Sequence, residues 1–474
     1  MPIFALRTKQ IPAILALLCI ISLSSCAQKT IENPAISGPW LVDILTNDVG
    51  DLQTVVQFDV YDQQDSGAHQ FAAYTEKNID QSILGFWKAR AGRVMGSNFK
   101  NGSLMRITKG KVYPNDSLSG ILVTPFGNYY INATARNGVL NGKLTNSHNA
   151  VIGYVRGNKG MPKLPLHNYP AIIDSALALT QNKLYDPAIL NTTGWKDFSR
   201  EMKRISNTAT DDAAFIMAFF YYSHQSLPFT HYALYRSMDT TDKKDLGSEK
   251  CVQLTAKSPH SLYMHITSFS GSAEEMDSAF AQIAQQGYDT LIVDLRDNSG
   301  GTVEAGMAFI RHLIPDTTYG GIFLTQKYFA HHTAPPKTTE YKDFPHFSKA
   351  NFDLIIKGIS DYPGICLIGY PQSPVYKGRT YILTNGNTAS TCEPIVYVLK
   401  SNHLATIVGG QTAGAMLNGE LYPIKDGFTL VVPTATYYTA DGFKIDKTGV
   451  SPDIKVKADS ALDYVLHSPR GQTH

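Results

Sequence analysis

Residues 381–414, YILTNGNTASTCEPIVYVLKSNHLATIVGGQTAG, read as a buried strand, a tight turn holding a serine, and a helix. No other stretch narrows the fold as much, because the whole region 251–467 repeats this alternation of strand and helix, as α/β proteins do. The turn lifts Ser390 Oγ out of the backbone at a helix start, where free N–H groups can stabilise a developing oxyanion. Ser390 is therefore a candidate nucleophile. The same residues also read as a capping box, with Ser390 as N-cap and Glu393 three residues on. Pro394 weighs against the cap, since it would fall where the first intrahelical N–H is needed. A later start, with Glu393 near the N-cap and Pro394 at the first helical position, leaves Ser390 on the turn.

Upstream, residues 38–162 alternate β-type runs such as TVVQFDVY, NYYINATA and AVIGYVRG with turns such as PNDS, RNG and NGK. Period-two patterning of this kind predicts an antiparallel β-sandwich or small barrel. Residues 163–228 turn helical through YPAIIDSALALTQ, GWKDFSREMKRI and DDAAFIMAFFYYSH, and residues 229–474 form the α/β core.

The N-terminus carries Arg7 and Lys9, an apolar run from Ile11 to Leu23, and then LSSC. The run falls short of the roughly 18 residues of a spanning helix. This pattern resembles a bacterial lipoprotein signal over residues 1–26, with Cys26 as the acylated residue and 27–37 as a flexible tether. An ordinary secretory signal or a short anchor is the alternative. Gln28 and the absence of aspartate beside it favour lipid anchoring in the cell envelope at the outer membrane, by resemblance to enteric sorting. A net charge of +2, with both signs spread through the chain, leaves no basic field for nucleic acid. The remaining cysteines, Cys251, Cys366 and Cys392, are too few and too dispersed for a disulfide framework. Cys392 is also conceivable as a nucleophile, against the reading of a small core residue. His331 and His332 have no ligand motif around them, and no metal or cofactor is expected.

TLIVDLRDNSGGTVEAGMAFIRHLI at 290–314, the TAS turn at 388–390 with Glu393, and the closing VVPTATYYTADGFKIDKTGVSPDIKV resemble the C-terminal processing peptidases and tricorn-like peptidases of one serine superfamily. The resemblance implies a crotonase-like (ClpP/crotonase) core and serine peptidase activity on a polypeptide substrate. It also implies an oxyanion hole from the amide of Gly301, or of Gly300, together with that of Thr391. Asp294, Arg296 and Asn298 would fix the glycine loop.

One departure matters. Processing peptidases carry a lysine in a Thr-x-Gly-Lys segment, and here QTAGA puts Ala415 there. A serine hydroxyl at neutral pH needs an adjacent base. The tricorn-like branch supplies a histidine from before the α/β core, which points to His231 in LPFTHYAL, with His224 as the alternative base. Asp446 in KIDKTGV and Glu393 both stand as candidates to orient the imidazole. The stretch from His231 to Asp294 is taken up by core elements, so a PDZ domain is not expected. Three functions follow: a serine peptidase, an inactive member that binds a peptide or ligand, or an esterase. Oligomeric state is not legible.

Overall fold

The computed structural model describes residues 35–46, 50–65, 68–75, 105–124, 127–146, 149, 151–160, 167–209, 211–236, 250–346 and 352–467. The leader and Cys26 lie outside the described residues. Of the tether expected over 27–37, residues 35–37 are described, and there Ile36 is buried and its carbonyl accepts from Trp40 Nε1 at 2.8 Å, which corrects the expectation for that part.

Eight strands follow one another as an antiparallel meander: β1 (Gly38–Thr46), β2 (Gly50–Asp65), β3 (Ala68–Thr75), β4 (Arg106–Val112), β5 (Ser117–Thr124), β6 (Gly127–Arg136), β7 (Val139–Thr145) and β8 (Val151–Lys159). β1 pairs with β2 on one side, Gly38 opposite Phe58, and with β8 on the other, Trp40 opposite Lys159. The meander therefore closes into a barrel, not a sandwich. Alternation along each strand sends Trp40, Val42, Phe58, Leu122, Leu140 and Val155 inward, all nearly inaccessible. The β6–β7 hairpin turns on Asn137 and Gly138, at φ 53° and 76°, the pair of left-handed residues that a two-residue hairpin needs.

Three helices come next. α1 (Tyr169–Lys183) is capped by Asn168, which accepts from Ala171 N, with Pro170 in its first turn. α2 (Thr193–Ser206) is capped by Thr192, and α3 is Asp212–Ser226. Their apolar faces gather Phe198 and Phe219 around Tyr232, whose hydroxyl meets Thr180 Oγ1 at 2.8 Å. This packing fixes the segment that leads into β9 (Ala233–Arg236).

The α/β core holds β10 (Val252–Ser258), β11 (Ser261–Ile266), β12 (Thr290–Asp294), β15 (Arg379–Thr384), β16 (Thr406–Gly409) and β19 (Ile454–Lys455) in that spatial order. All neighbours are parallel except β10 with β11. β12 is buried at every position, as a strand covered on both faces must be. Helices α4 (Ala273–Gln286), α5 (Val303–Arg311), α6 (Phe352–Asp361) and α7 (Cys392–Ser401) pack in this unit, and a further helix, Ala461–His467, lies against β15 and β16. A second run pairs β9 with β18 (Phe428–Thr439), then β13 (Thr318–Thr325) and β14 (Gly364–Gly369), while β17 (Leu417–Pro423) lies on the other side of β18. Among the described residues, one strand pair, Gly50 with Arg236, links this run to the barrel.

Candidate active site

The turn between β15 and α7 places Ser390. α7 begins at Cys392 with Thr391 as its N-cap, so Pro394 is the third helical residue, not the first as its sequence position suggests. That position still has no intrahelical partner for its N–H, so proline costs nothing there. Ser390 stands one residue outside the helix at φ 54°. Its N–H donates to Ala415 O at 3.0 Å, and Oγ is free to face His231.

His231 Nε2 lies 3.4 Å from Ser390 Oγ. The histidine precedes β9, also at positive φ (55°), and a Cβ added at Gly419 would come within 3.3 Å of its Cβ, so β17 covers one side of it. Burial pushes its imidazole down to about 4, so the ring is neutral at physiological pH. His224, the alternative, sits on α3 with its ring exposed, stacked on Phe220 and bonded through Nδ1 to the Phe220 carbonyl at 3.1 Å. It makes no contact with Ser390.

Asp446 is 2% exposed. It does not touch the imidazole; Thr230 stands between them. Thr230 Oγ1 lies 2.5 Å from Asp446 Oδ1 and 3.0 Å from His231 Nδ1, and Thr230 N–H donates to Asp446 Oδ2 at 3.3 Å. Burial raises the Asp446 carboxyl to about 6, against the pull of Thr230 and of Lys444 and Lys447. At neutral pH it is ionised and can only accept. The threonine hydroxyl has one proton, so it donates to Asp446 and must accept from His231 Nδ1–H. This polarity leaves the Nε2 lone pair facing Ser390. Sequence reading passed over Thr230; its signal was a hydroxyl residue directly before the histidine.

Glu393 has another task. It is fully buried, with Oε1 accepting from Thr412 Oγ1 and Gly414 N and Oε2 from Ala415 N and Ser390 N, at 2.6–3.2 Å. It does not reach the imidazole, so the expectation that it might orient the ring is corrected: it ties the backbone of the Ser390 turn to the 412–415 loop. Burial raises its carboxyl, opposed by those four donors. Cys392, two residues from the serine, points into the core with Sγ toward Asn298 O at 3.5 Å, and burial raises its thiol far above the ordinary range. It does not face the site.

The glycine loop approaches from β12. Arg296 clasps the Asp294 carboxylate through Nε and Nη2, Tyr263 donates to the same carboxylate, and Asn298 Nδ2 donates to Ile266 O. Gly300 N–H is taken by Asn298 Oδ1 at 2.9 Å, which removes it as an oxyanion donor. A Cβ there would lie 2.7 Å from Ser390 Cβ. The N–H groups of Gly301 and Thr391 make no hydrogen bond among the described residues. Beside them opens a small apolar cleft whose lining includes Val303, Gly306, Thr391, Pro394, Met416 and Tyr437.

Residues 260–456 match the sequence pattern of peptidase family S41. The carboxyl-terminal-processing protease of Synechocystis sp. is 28% identical over 192 residues, 40% of this chain and 36% of that protein. The carboxy-terminal processing protease of Bacillus subtilis is 24% identical over 222 residues, 47% of this chain and 40% of its own length. The chain thus spans well under half the length of these relatives. Among solved structures, the photosystem II D1 C-terminal processing protease overlaps with TM-score 0.38 at 15% identity, covering 62% of this chain and 94% of that one. The tricorn protease overlaps with TM-score 0.39 at 11% identity, covering 90% of this chain and 57% of its own. Overlaps this weak establish no shared architecture.

Proposed function

We propose, from the match of residues 260–456 to peptidase family S41, that the chain is an exported, lipid-anchored serine peptidase of the C-terminal processing type. Ser390 is the nucleophile and His231 its base. Asp446, acting through Thr230, holds the tautomer that leaves Nε2 open. The observation that carries the reading is the unbroken line of polar contacts from Asp446 through Thr230 and His231 to Ser390, in a chain where alanine occupies the lysine position of the processing peptidases.

In this mechanism Ser390 Oγ attacks the scissile carbonyl carbon while its proton passes to His231 Nε2. The oxyanion is held by the N–H groups of Gly301 and Thr391, each contributing roughly 3 kcal/mol in the transition state. The imidazolium returns the proton to the leaving amine, and water repeats the cycle on the acyl-enzyme. Glu393 and Asn298 position the backbone that carries these groups. The apolar cleft beside Thr391 favours an uncharged aliphatic side chain on the acyl side of the bond.

Acylation of Cys26 tethers the protein to the cell envelope at the outer membrane in this proposal. Residues 38–162, 163–228 and 229–474 are taken as its barrel, helical and peptidase units, the last of crotonase type. Labelling by a fluorophosphonate tests the site. Label on the full chain that is lost in both Ser390→Ala and His231→Ala, with cleavage of a peptide panel and not of simple esters, is the expected result. Labelling that persists in His231→Ala would overturn the assignment of the base.

A further inference from the structure

The N–H of Gly301 belongs to the peptide plane that joins Gly300 to Gly301, and that plane is gripped from behind. Phe269 and Gly301 form an isolated parallel bridge. Phe269 N–H donates to Gly300 O at 2.8 Å, and Thr302 N–H donates to Phe269 O at 2.9 Å. Along a bridged segment successive residues turn their backbone groups to opposite sides, so Gly301 presents its own N–H and C=O away from Phe269. That far side is the serine turn: Gly301 O accepts from Thr391 Oγ1 at 2.8 Å. A Cβ on Gly301 would meet the Phe269 carbonyl carbon at 2.2 Å, so the two backbones lie together with no side chain between them.

Ser268 adds a second grip on the same carbonyl. Its Oγ lies 3.2 Å from Gly300 O and 2.8 Å from Ser270 Oγ, and it accepts from Ser270 N–H at 3.0 Å. A serine hydroxyl has one proton to give and two lone pairs. With Ser270 Oγ–H donating to Ser268, the Ser268 proton goes to Gly300 O and every contact is satisfied. The reverse assignment would leave two acceptor oxygens facing each other with no proton between them. In a trans peptide the C=O and N–H point in opposite directions. Holding Gly300 O against Phe269 and Ser268 therefore aims Gly301 N–H at the side where Ser390 stands. Two donors on that carbonyl also draw electron density across the plane, which makes the N–H a stronger donor. The Ser390–Thr391 plane is held in a similar way, its carbonyl accepting from Glu393 N–H at 2.8 Å.

We infer that Ser268 is a positioning residue for the oxyanion hole: through Gly300 O it orients and polarises the amide of Gly301. The inference rests on the peptidase reading, which supplies the oxyanion. Ser268 touches no reacting atom. Its effect is felt once the substrate carbonyl oxygen turns negative, and much less while that oxygen is neutral, so it acts on the transition state and not on substrate binding.

The full chain and its Ser268→Ala, Ser268→Cys and Ser268→Thr variants are compared on a peptide that the unmodified chain cleaves, with two inhibitors of the same sequence. One is the peptide aldehyde, to whose carbon Ser390 Oγ adds while the serine proton passes to His231 and the aldehyde oxygen becomes the oxyanion. The other is the peptide alcohol, which has no carbonyl to attack. Outright removal of an oxyanion donor costs about 10²–10³ in kcat, and here Phe269 N–H remains, so Ser268→Ala is expected to lower kcat about fivefold to twentyfold with KM little changed. The Ki of the aldehyde should rise by a similar factor and that of the alcohol should not move. Threonine should restore both, and cysteine, a weak donor of the same shape, should fall between. A kcat within twofold of the unmodified chain, or KM and both Ki values rising together, overturns this inference alone. Should the alanine chain not fold, the cysteine chain is read by the same criteria. An unmodified chain that cleaves no peptide and binds no peptide aldehyde overturns the peptidase reading, and the inference with it.

Discussion

Thr230→Val removes one hydroxyl and almost nothing else, since valine keeps the branched shape. Two hydrogen bonds go with it: the charge-assisted bond to Asp446, about 1.5–3 kcal/mol, and the neutral bond from His231 Nδ1, about 1 kcal/mol. If both are felt in the transition state, where the imidazole becomes cationic, the barrier rises by about 2.5–4 kcal/mol and the rate falls roughly 10² to 10³-fold. The pH profile moves as well. His231, held down at about 4, is neutral across the working range, whereas Asp446, held up at about 6, loses its charge as pH falls through that value. Activity of the unmodified chain should therefore decline below about pH 6 through Asp446. With valine at 230 the carboxylate no longer reaches the ring, so the limb near 6 should vanish and the small residual activity should persist toward pH 4. Fluorophosphonate inactivation rates measured from pH 4 to 8 suffice as the assay. Thr230→Ser, which restores the hydroxyl, should recover most of the rate. A loss below tenfold with the limb near 6 intact would refute the relay.

His224→Ala should leave labelling and turnover unchanged, because its exposed ring stacks on Phe220 and bonds the Phe220 carbonyl; a loss comparable to that of His231→Ala would reassign the base. Glu393→Gln turns an amide NH₂ toward buried N–H donors that now face a carboxylate oxygen, and should cost about 3 kcal/mol in a denaturant titration while slowing Ser390 labelling. An unchanged midpoint would show that the 412–415 loop is held by other means. Gly300→Ala drives a methyl to 2.7 Å from Ser390 Cβ and forces a left-handed alanine at φ 103°, so labelling should drop at least tenfold with the fold retained by circular dichroism.

Much of this site was legible because its parts are local. The TAS turn and the glycine loop announce themselves by residue type and by the apolar strands that feed them. His231 stood out once Ala415 was seen in place of the lysine. Thr230 did not, because its role depends on Asp446, which lies 216 residues along the chain, and a hydroxyl beside a histidine has no meaning until that carboxylate is placed. Glu393 was misjudged for a related reason: spacing of three along a helix start suggests a cap or a catalytic neighbour, whereas three of its four donors come from or flank the 412–415 loop. The start of α7 was misplaced because proline is tolerated anywhere in a helix's first turn. Barrel against sandwich was undecidable from period-two patterning, which reports only that alternate residues are buried. Closure lies in the pairing of β1 with β8, strands with six others between them.

Ser390 and His231 share an uncommon trait: each has the handedness of backbone that side-chain-bearing residues avoid, at φ 54° and 55°. Holding two such kinks opposes the local preference of the chain by about 1–3 kcal/mol apiece, and only the surrounding packing keeps them wound. Heat should therefore release these two bends before it melts the barrel or the parallel sheet. Catalysis would be extinguished several degrees below the cooperative unfolding seen by calorimetry, and cooling at that point should rewind the bends and restore it.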